Sequence, residues 1–388
     1  MTGRLRVADV FRAGWDEYNR SNRVAPHQSK AVDHILSCRT ARLGGHMYRC
    51  DKCASQLPVY NSCQNRHCPT CQTSAKEKWL AERRTELIPV RYFHSVFTLP
   101  HRLNGLVDAN RKLLIDELFS TVNWTLQSFA ADPRWRLEGQ LGFLAVLHTW
   151  TQRLHEHFHI HCIIPGGVWD KDRAKWVSCR GKWLFRKQSL ADAFRNRFLV
   201  RLRLLRHNGL LRFTAAAESL ADDQRWKEFT ADLQNTKWVV YPKPAPDGAQ
   251  TVLNYLGRYT HKIAISDYRI VKIDNNFVTY LWRDRADANR QKTDTIAVCD
   301  FIRRFLYHIL PKGFQKIRYY GWLSAASKKT ILPAIRSYLH VHPPPPQPRE
   351  SLAQRILRLT GKNIHLCPFC NKGQLIKTSE IMPCRGPP

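Results

Sequence analysis

Apolar residues recur at helical spacing near the start of the chain. Val7, Val10, Phe11 and Trp15 fall on one helical face, and Val32, Ile35 and Leu36 repeat the pattern beyond Pro26. This predicts a helical lead-in over residues 1–37. The rhythm stops at Cys38. From there to Cys71 the chain has Gly44, Gly45, two Cys-x2-Cys turns and few long apolar runs, the pattern of a metal-stapled module with little core. The charged stretch SAKEKWLAERRTEL then reads as a connecting helix. Beyond it, YFHSVFTL (92–99), GFLAVLH (142–148) and HFHIHCII (157–164) are short and rich in Val, Phe, Leu and Ile, as strands are. A helical stretch over 109–129 separates the first two. Strands interleaved with helices predict an α+β domain built on one sheet.

Further on, FRNRFLVRLRLLRHNGLLRF is a basic amphipathic helix, and ESLADDQRWKEFTADL a solvated one with Trp226 and Phe229 turned inward. WVVY reads as a strand, followed by a Pro-rich turn and a helical stretch through Tyr259. Residues 268–273 and 277–282 form a hairpin turned at Asn275 and Asn276. Another helix covers 300–310. The run VHPPPPQPRE is a stiff linker. The expected organisation is therefore a lead-in (1–37), a zinc-binding DNA-recognition domain (38–90), a main domain (91–340), a linker (341–350) and a separate basic tail (351–388).

Charge narrows the function. The 388 residues carry 62 Lys plus Arg against 31 Asp plus Glu, a formal +31. With 43% hydrophobic residues the chain can still build cores, so this is a globular polyanion binder and not a basic tail, and nucleic acid is the commonest polyanion. No run approaches the roughly 18–20 apolar residues of a membrane span, and the N-terminus lacks an apolar core of signal-peptide length, which points to the cytoplasm. In that reducing compartment the 12 cysteines read as metal ligands before disulfides.

Cys50-x2-Cys53, followed after 14 residues by Cys68-x2-Cys71, is the spacing of two knuckles completing one tetrahedral zinc site. Cys38, His46, Cys63 and His67 supply enough ligands for a second, although the two histidines could equally contact phosphate. Both sites would be closed and structural. Cys367-x2-Cys370 is a third knuckle, with Cys384 and His365 as candidate completing ligands. The chemical signal is His157, His159 and His161 on one strand. Period-2 geometry sends all three imidazoles to one face while Phe158, Ile160 and Cys162 face the other. A cation there would leave positions open for a phosphate oxygen. Tyr255 and Tyr259, spaced i, i+4, project from one helical face, and Gly257 between them suits a close backbone approach. Arg195, Arg197, Arg201, Arg203 and Arg206 on the basic helix are candidate DNA contacts.

Together these residues resemble the rolling-circle insertion-sequence transposases of the HUH endonuclease superfamily, the two-tyrosine branch with an N-terminal zinc-binding domain. VFTLPH (96–101) resembles the superfamily's structural first motif, HIH (159–161) its metal motif and YLGRY (255–259) its nucleophile motif, in that order. LGGHMYRCDKC, YNSCQNRHCPTCQ, LPKGFQKIRYYG and the late CPFC extend the likeness over nearly the whole chain. The resemblance implies a central antiparallel sheet flanked by helices, a small zinc-ribbon-like module before it, and a divalent Mg2+ or Mn2+ held by His159, His161 and a third ligand. Gln152, seven residues before His159, is the favoured third ligand, with His148 and His157 as rivals. Tyr255 or Tyr259 would attack a single-stranded element end to give a 5′-phosphotyrosine and a free 3′-hydroxyl. Host replication machinery, including a helicase, would complete the reaction at the nucleoid, since the chain has no Walker sequence.

Three other readings remain open from the residues. A plasmid replication initiator or relaxase shares the chemistry. A histidine-triad nucleotide hydrolase fits HFHIHCI but gives the knuckles, the charge and the tyrosines no role. A zinc-dependent DNA-binding regulator would bind without cleaving.

Overall fold

The structure is a computed structural model that describes the chain apart from residues 1–3, 246–250, 253–256, 258–262, 344, 346–349 and 385–388. Tyr255, Tyr259 and much of the expected linker lie outside the described residues. Thirteen strands occur among those described, numbered β1–β13 in chain order, and every pairing between them is antiparallel. The α+β class and the antiparallel sheet are as expected. The chain forms two compact units, and neither is contiguous in sequence: residues 1–77, 263–312 and 345–388 make one, residues 78–262 and 313–344 the other.

In the first unit the lead-in forms two helices, Val7–Ser21 and Pro26–Ser37. The Asp9 carboxylate accepts from the Arg6 amide at 2.8 Å, and Asp267 accepts from the Val7 amide at 3.0 Å, so two carboxylates occupy a helix N-terminus where amides lack partners. The other Asp267 oxygen accepts from the Thr70 hydroxyl at 2.8 Å, tying the helix start to the second knuckle. Phe11 meets Phe305 of the Val298–Tyr307 helix edge to face at 5.3 Å. That helix follows a three-stranded sheet of β9 (Ile270–Asp274), β10 (Phe277–Asp284) and β11 (Arg290–Ala297). The β9–β10 turn is the expected one: Asn275 and Asn276 have φ of 46° and 62°, the left-handed pair a two-residue hairpin loop requires. The same unit holds β1 (Gly45–Cys50) and β2 (Gln56–Tyr60), a hairpin whose other edge pairs with β13 (Leu375–Ile381). The tail is thus a strand of the cysteine module and not a separate segment. A linker read from composition carries no information on what its far side pairs with.

The second unit is built on a five-stranded sheet in the order β12-β4-β5-β3-β8. Its centre is β5 (Glu156–Pro165), flanked by β4 (Phe143–Trp150) and β3 (Tyr92–Thr98), with β12 (Ile317–Tyr320) and β8 (Val239–Pro244) outside. A two-stranded ribbon, β6 (Gly167–Asp170) and β7 (Lys175–Ser178), follows β5. One sheet face carries Phe97, Phe158, Ile160 and Cys162, all buried. It packs on the helices Arg111–Ala131 and Lys187–His207, with Phe97 edge to face on Phe194 at 5.2 Å and Arg318 over Phe119 at 4.0 Å. The opposite face is apolar at one end, where Tyr92, Leu144, Val146 and Ile163 pack with Trp322, Leu332 and Ile335. Its other end is polar and holds the site. No helix among the described residues is long and apolar enough to cross a membrane.

Two glycines set how closely the second unit closes. Any Cβ at Gly142 would enter the Trp322 indole, and at Gly321, whose φ is +57°, it would overlap the Leu141 carbonyl oxygen. Gly321→Ala combines a left-handed backbone with a backbone clash, so we expect it to destabilise the protein by about 3 kcal/mol, read as a lower urea midpoint. A midpoint equal to that of the wild type would disprove this account.

Candidate functional site

Three groups of metal-ligating side chains come together among the described residues: Cys38, Cys63, Cys68 and Cys71; Cys50, Cys53, Cys367 and Cys370; and His148, His159 and His161, each group with its ligand atoms within 4.8 Å of one another. In the first group Cys38 Sγ lies 3.5 Å and Cys63 Sγ 3.7 Å from Cys71 Sγ. Four thiolates bound to zinc at about 2.3 Å stand about 3.8 Å apart by tetrahedral geometry, whereas a disulfide needs about 2.05 Å. Both the sulfur spacing and the all-thiolate donor set therefore fit Zn2+. Crowding also spreads the thiol acidities. Hydrogen bonds from Cys38, Cys63 and Cys68 hold the Cys71 thiol far below its ordinary value, while those with Cys38, Cys63 and Cys71 push Cys68 far above it.

This grouping differs from the expected one. Cys50 and Cys53 do not join Cys68 and Cys71; the second knuckle instead completes its set with Cys38 and Cys63. His46 and His67 belong to neither set. His46 sits on β1 opposite Glu380 and Val59, and the His67 ring faces the Arg66 guanidinium at 3.3 Å. Nor do Cys384 and His365 complete the late knuckle. The 14-residue spacing suggests a compact ribbon, but the β1–β2 hairpin carries the chain away between the knuckles. One backbone feature does mark the ligands. Arg39, Ala54, Gln64 and Asn371 all have φ between 52° and 59°, and each directly follows a clustered cysteine. Such non-glycine residues cost about 1–2 kcal/mol each and persist where their surroundings impose them.

The histidine site is fixed by register. On the central strand His159 pairs with His148 of β4 and Thr98 of β3, and His161 pairs with Val146 and Val96. Directly paired residues share a face, so His148, not anticipated as the leading third ligand, stands beside the two expected histidines. Its ring centroid is 4.4 Å from that of His161 and 5.3 Å from that of His159. All three are buried. Gln152 lies in the connection between β4 and β5. His157 lies at the strand's outer end, 2.9 Å from His101 ring to ring.

The supporting hydrogen bonds choose tautomers. His159 Nδ1 donates to the His157 carbonyl at 2.9 Å, which puts that ring's lone pair on Nε2. His161 Nδ1 meets His94 Nε2 at 2.9 Å. His94, on the same face of β3, is a participant sequence reasoning missed; its alternation with Val96 and Thr98 was the available signal. Burial, and then the charge of Lys243, lower its pKa to about 3, so it is a neutral partner able to orient His161. Behind the sheet, burial pushes the Cys162 thiol well up, an inert apolar filler. Val252, three residues before Tyr255, is buried in the apolar cluster that shares the histidines' face, and Gly257 is helical and buried.

The basic helix is less available than its sequence suggests. Arg201 pairs with the buried Glu117 at 3.1 Å, Arg206 with Asp223 at 2.8 Å and Arg195 with Asp192 at 3.3 Å. Arg197 lies over Trp124 at 4.7 Å, and Arg203 is exposed. Much of the stripe therefore holds helices together.

Comparison with known proteins bears on this arrangement. Residues 142–330 match a family model described as "Putative transposase", and residues 10–99 match one described as "Transposase zinc-binding domain". A protein of Sinorhizobium fredii (strain NBRC 101917 / NGR234) named "Putative transposase y4qJ" is 39% identical over 386 residues, covering 98% of this chain and 97% of its own. The "Transposase for insertion sequence element IS801" of Pseudomonas savastanoi pv. phaseolicola is 29% identical over 359 residues, covering 91% of this chain and 83% of its own. No solved structure matches the chain.

The buried neutral His94 makes stability depend on pH. Between its folded value of about 3 and an unfolded value of about 6.5, the unfolded chain binds the extra proton, so stability falls as pH drops through that window. From pH 7 to pH 5 the loss from this group is about 2 kcal/mol. Urea titrations of wild type and His94→Gln at both pH values should show a smaller loss in the variant by about that amount; equal losses would exclude His94 as the source.

Proposed function

Because the chain belongs to the IS91-type transposase family, DNA-cleaving enzymes with a zinc-binding domain, we propose that it nicks and rejoins single-stranded ends of an insertion sequence through a 5′-phosphotyrosine. The observation that carries this reading is the cluster of His148, His159 and His161 on one face of the central sheet. Three imidazoles, two of them with the second nitrogen oriented by a hydrogen bond, suit a catalytic site, since three protein ligands leave coordination positions for substrate. They would hold Mg2+ or Mn2+, with His148 as the third ligand in place of Gln152, and the cation would polarise the scissile phosphate.

Tyr255 or Tyr259 is the nucleophile in this proposal. Its phenol loses a proton and its oxygen forms a bond to phosphorus; the bond from phosphorus to the 3′ oxygen breaks, and that oxygen takes up a proton. The phosphotyrosine conserves the energy of the broken bond, so rejoining needs no nucleotide hydrolysis. Val252, which borders the tyrosine segment in sequence, is buried in the apolar cluster on the histidines' face, and this supports a nucleophile drawn from that segment. His94 acts through His161 and is a positioning residue. Zn2+ at Cys38, Cys63, Cys68 and Cys71 would hold the recognition module in shape. Single-stranded element ends and target DNA are the partners, host polymerase and helicase extend and displace the strand, and the setting is the nucleoid in the cytoplasm.

Incubating the full-length protein with single-stranded element ends and Mn2+ tests this. A covalent protein–DNA adduct should form, map by peptide sequencing to Tyr255 or Tyr259, and vanish in the double Phe variant. His159→Ala or His148→Ala should reduce it at least 100-fold, beyond the roughly 10–100-fold typical of losing an outer-shell partner. An adduct that survives the double Phe substitution would overturn the mechanism. Binding should also weaken steeply with salt, by about 1,000-fold or more between 50 and 200 mM if six or more phosphates are contacted.

A further inference from the structure

The late knuckle, Cys367-x2-Cys370, lies outside the stretch matched by the zinc-binding domain model, residues 10–99. The structure nevertheless sets it against Cys50 and Cys53. Cys50 Sγ is 3.7 Å from Cys370 Sγ, and Cys53 Sγ is 3.7 Å from Cys367 Sγ. We propose that these four cysteines form a second structural zinc site, in which the metal clamps the C-terminal tail onto the N-terminal module.

Both sulfur distances match the roughly 3.8 Å of a tetrahedral thiolate set and are far beyond a disulfide. The two knuckles turn alike, the Ala54 amide donating to the Cys50 carbonyl at 3.1 Å and the Asn371 amide to the Cys367 carbonyl at 3.0 Å. The Lys52 and Cys53 amides donate to Cys50 Sγ at 3.4 and 3.5 Å, and the Gly373 amide donates to Cys370 Sγ at 3.4 Å. Amides aimed at sulfur favour thiolate over thiol. In each knuckle the residue after the second cysteine, Ala54 or Asn371, is left-handed, which is how the chain turns back around a metal. Cys50 and Cys367 are buried. The surroundings are shaped for the approach: a Cβ at Gly373 would collide with Cys50 Sγ. Asp51 clasps the tail by accepting from the Gln374 amide at 2.8 Å while its own amide donates to the Gln374 carbonyl at 3.1 Å. A set of four soft sulfur ligands selects Zn2+ over Mg2+ or Mn2+.

The test is metal content of the purified full-length protein. Wild type should hold two zinc ions per chain by elemental analysis, and the double variant C367S/C370S one. C38S/C63S should also hold one, retained through Cys367 and Cys370, while C384S should keep both. Gly373→Val, which removes no sulfur, should fall to one as well. If a serine variant misfolds, a second measurement applies to the otherwise native chain. With a protease site placed in the 341–350 linker, the cut tail should stay with the body and be released by a strong zinc chelator. One zinc per wild-type chain, or an unchanged count in C367S/C370S, or a cut tail that stays bound after chelation, would overturn the proposal.

Discussion

Antiparallel register across β5 is the constraint on which the histidine site depends. Pairing of His159 with His148, and of His161 with Val146 and Val96, puts imidazoles from two strands on one face and Phe158, Ile160 and Cys162 on the other. Slipping one strand by a single residue would exchange these faces, placing imidazoles against Phe194 and Phe198 and apolar side chains where ligands belong. The register is in turn enforced by burial on both sides: aromatic rings behind, and the Trp322 cluster at the far end of the front. Core packing and chemistry are therefore the same specification. His94 extends it to a third strand, since its contact with His161 requires β3 to be aligned as well.

The first unit solves a different problem. Its cysteine module has little apolar interior, and its cohesion comes from sulfur clusters, short strand pairings and the carboxylate of Asp267. Closing a loop of 314 residues between Cys53 and Cys367 costs on the order of 5 kcal/mol from an unfolded chain. A structural zinc ion at the proposed second site would exceed that, at about 10–16 kcal/mol in zinc-finger peptides.

Much was legible in the sequence because it depended on local periodicity. The lead-in helices, β3, β4, β5, the Asn275–Asn276 turn and the common face of His159 and His161 all follow from patterns a few residues long. What was not legible is non-local. Nothing between Cys53 and Cys68 says that the first knuckle will look to residue 367 for partners, and His148 becomes a neighbour of His159 only through pairing. β11 escaped notice for another reason: RQKTDTIA has no apolar face, and its strand is secured by polar cross-strand pairs such as Tyr280 with Asp294 and Thr279 with Thr295. The arginine helix was recognised as basic, but Glu117, 84 residues before Arg201, could not be seen to neutralise it.

The strand pairing of β13 with β1 also has a consequence in time. Its partners are separated by about 330 residues of synthesis, which at about 5–20 residues per second takes roughly 15–65 s. During that interval the nascent module exposes an unpaired β1 edge and two unsatisfied thiols. A chain that ends before residue 367 therefore leaves its first sheet with an open edge along β1, a template for aggregation.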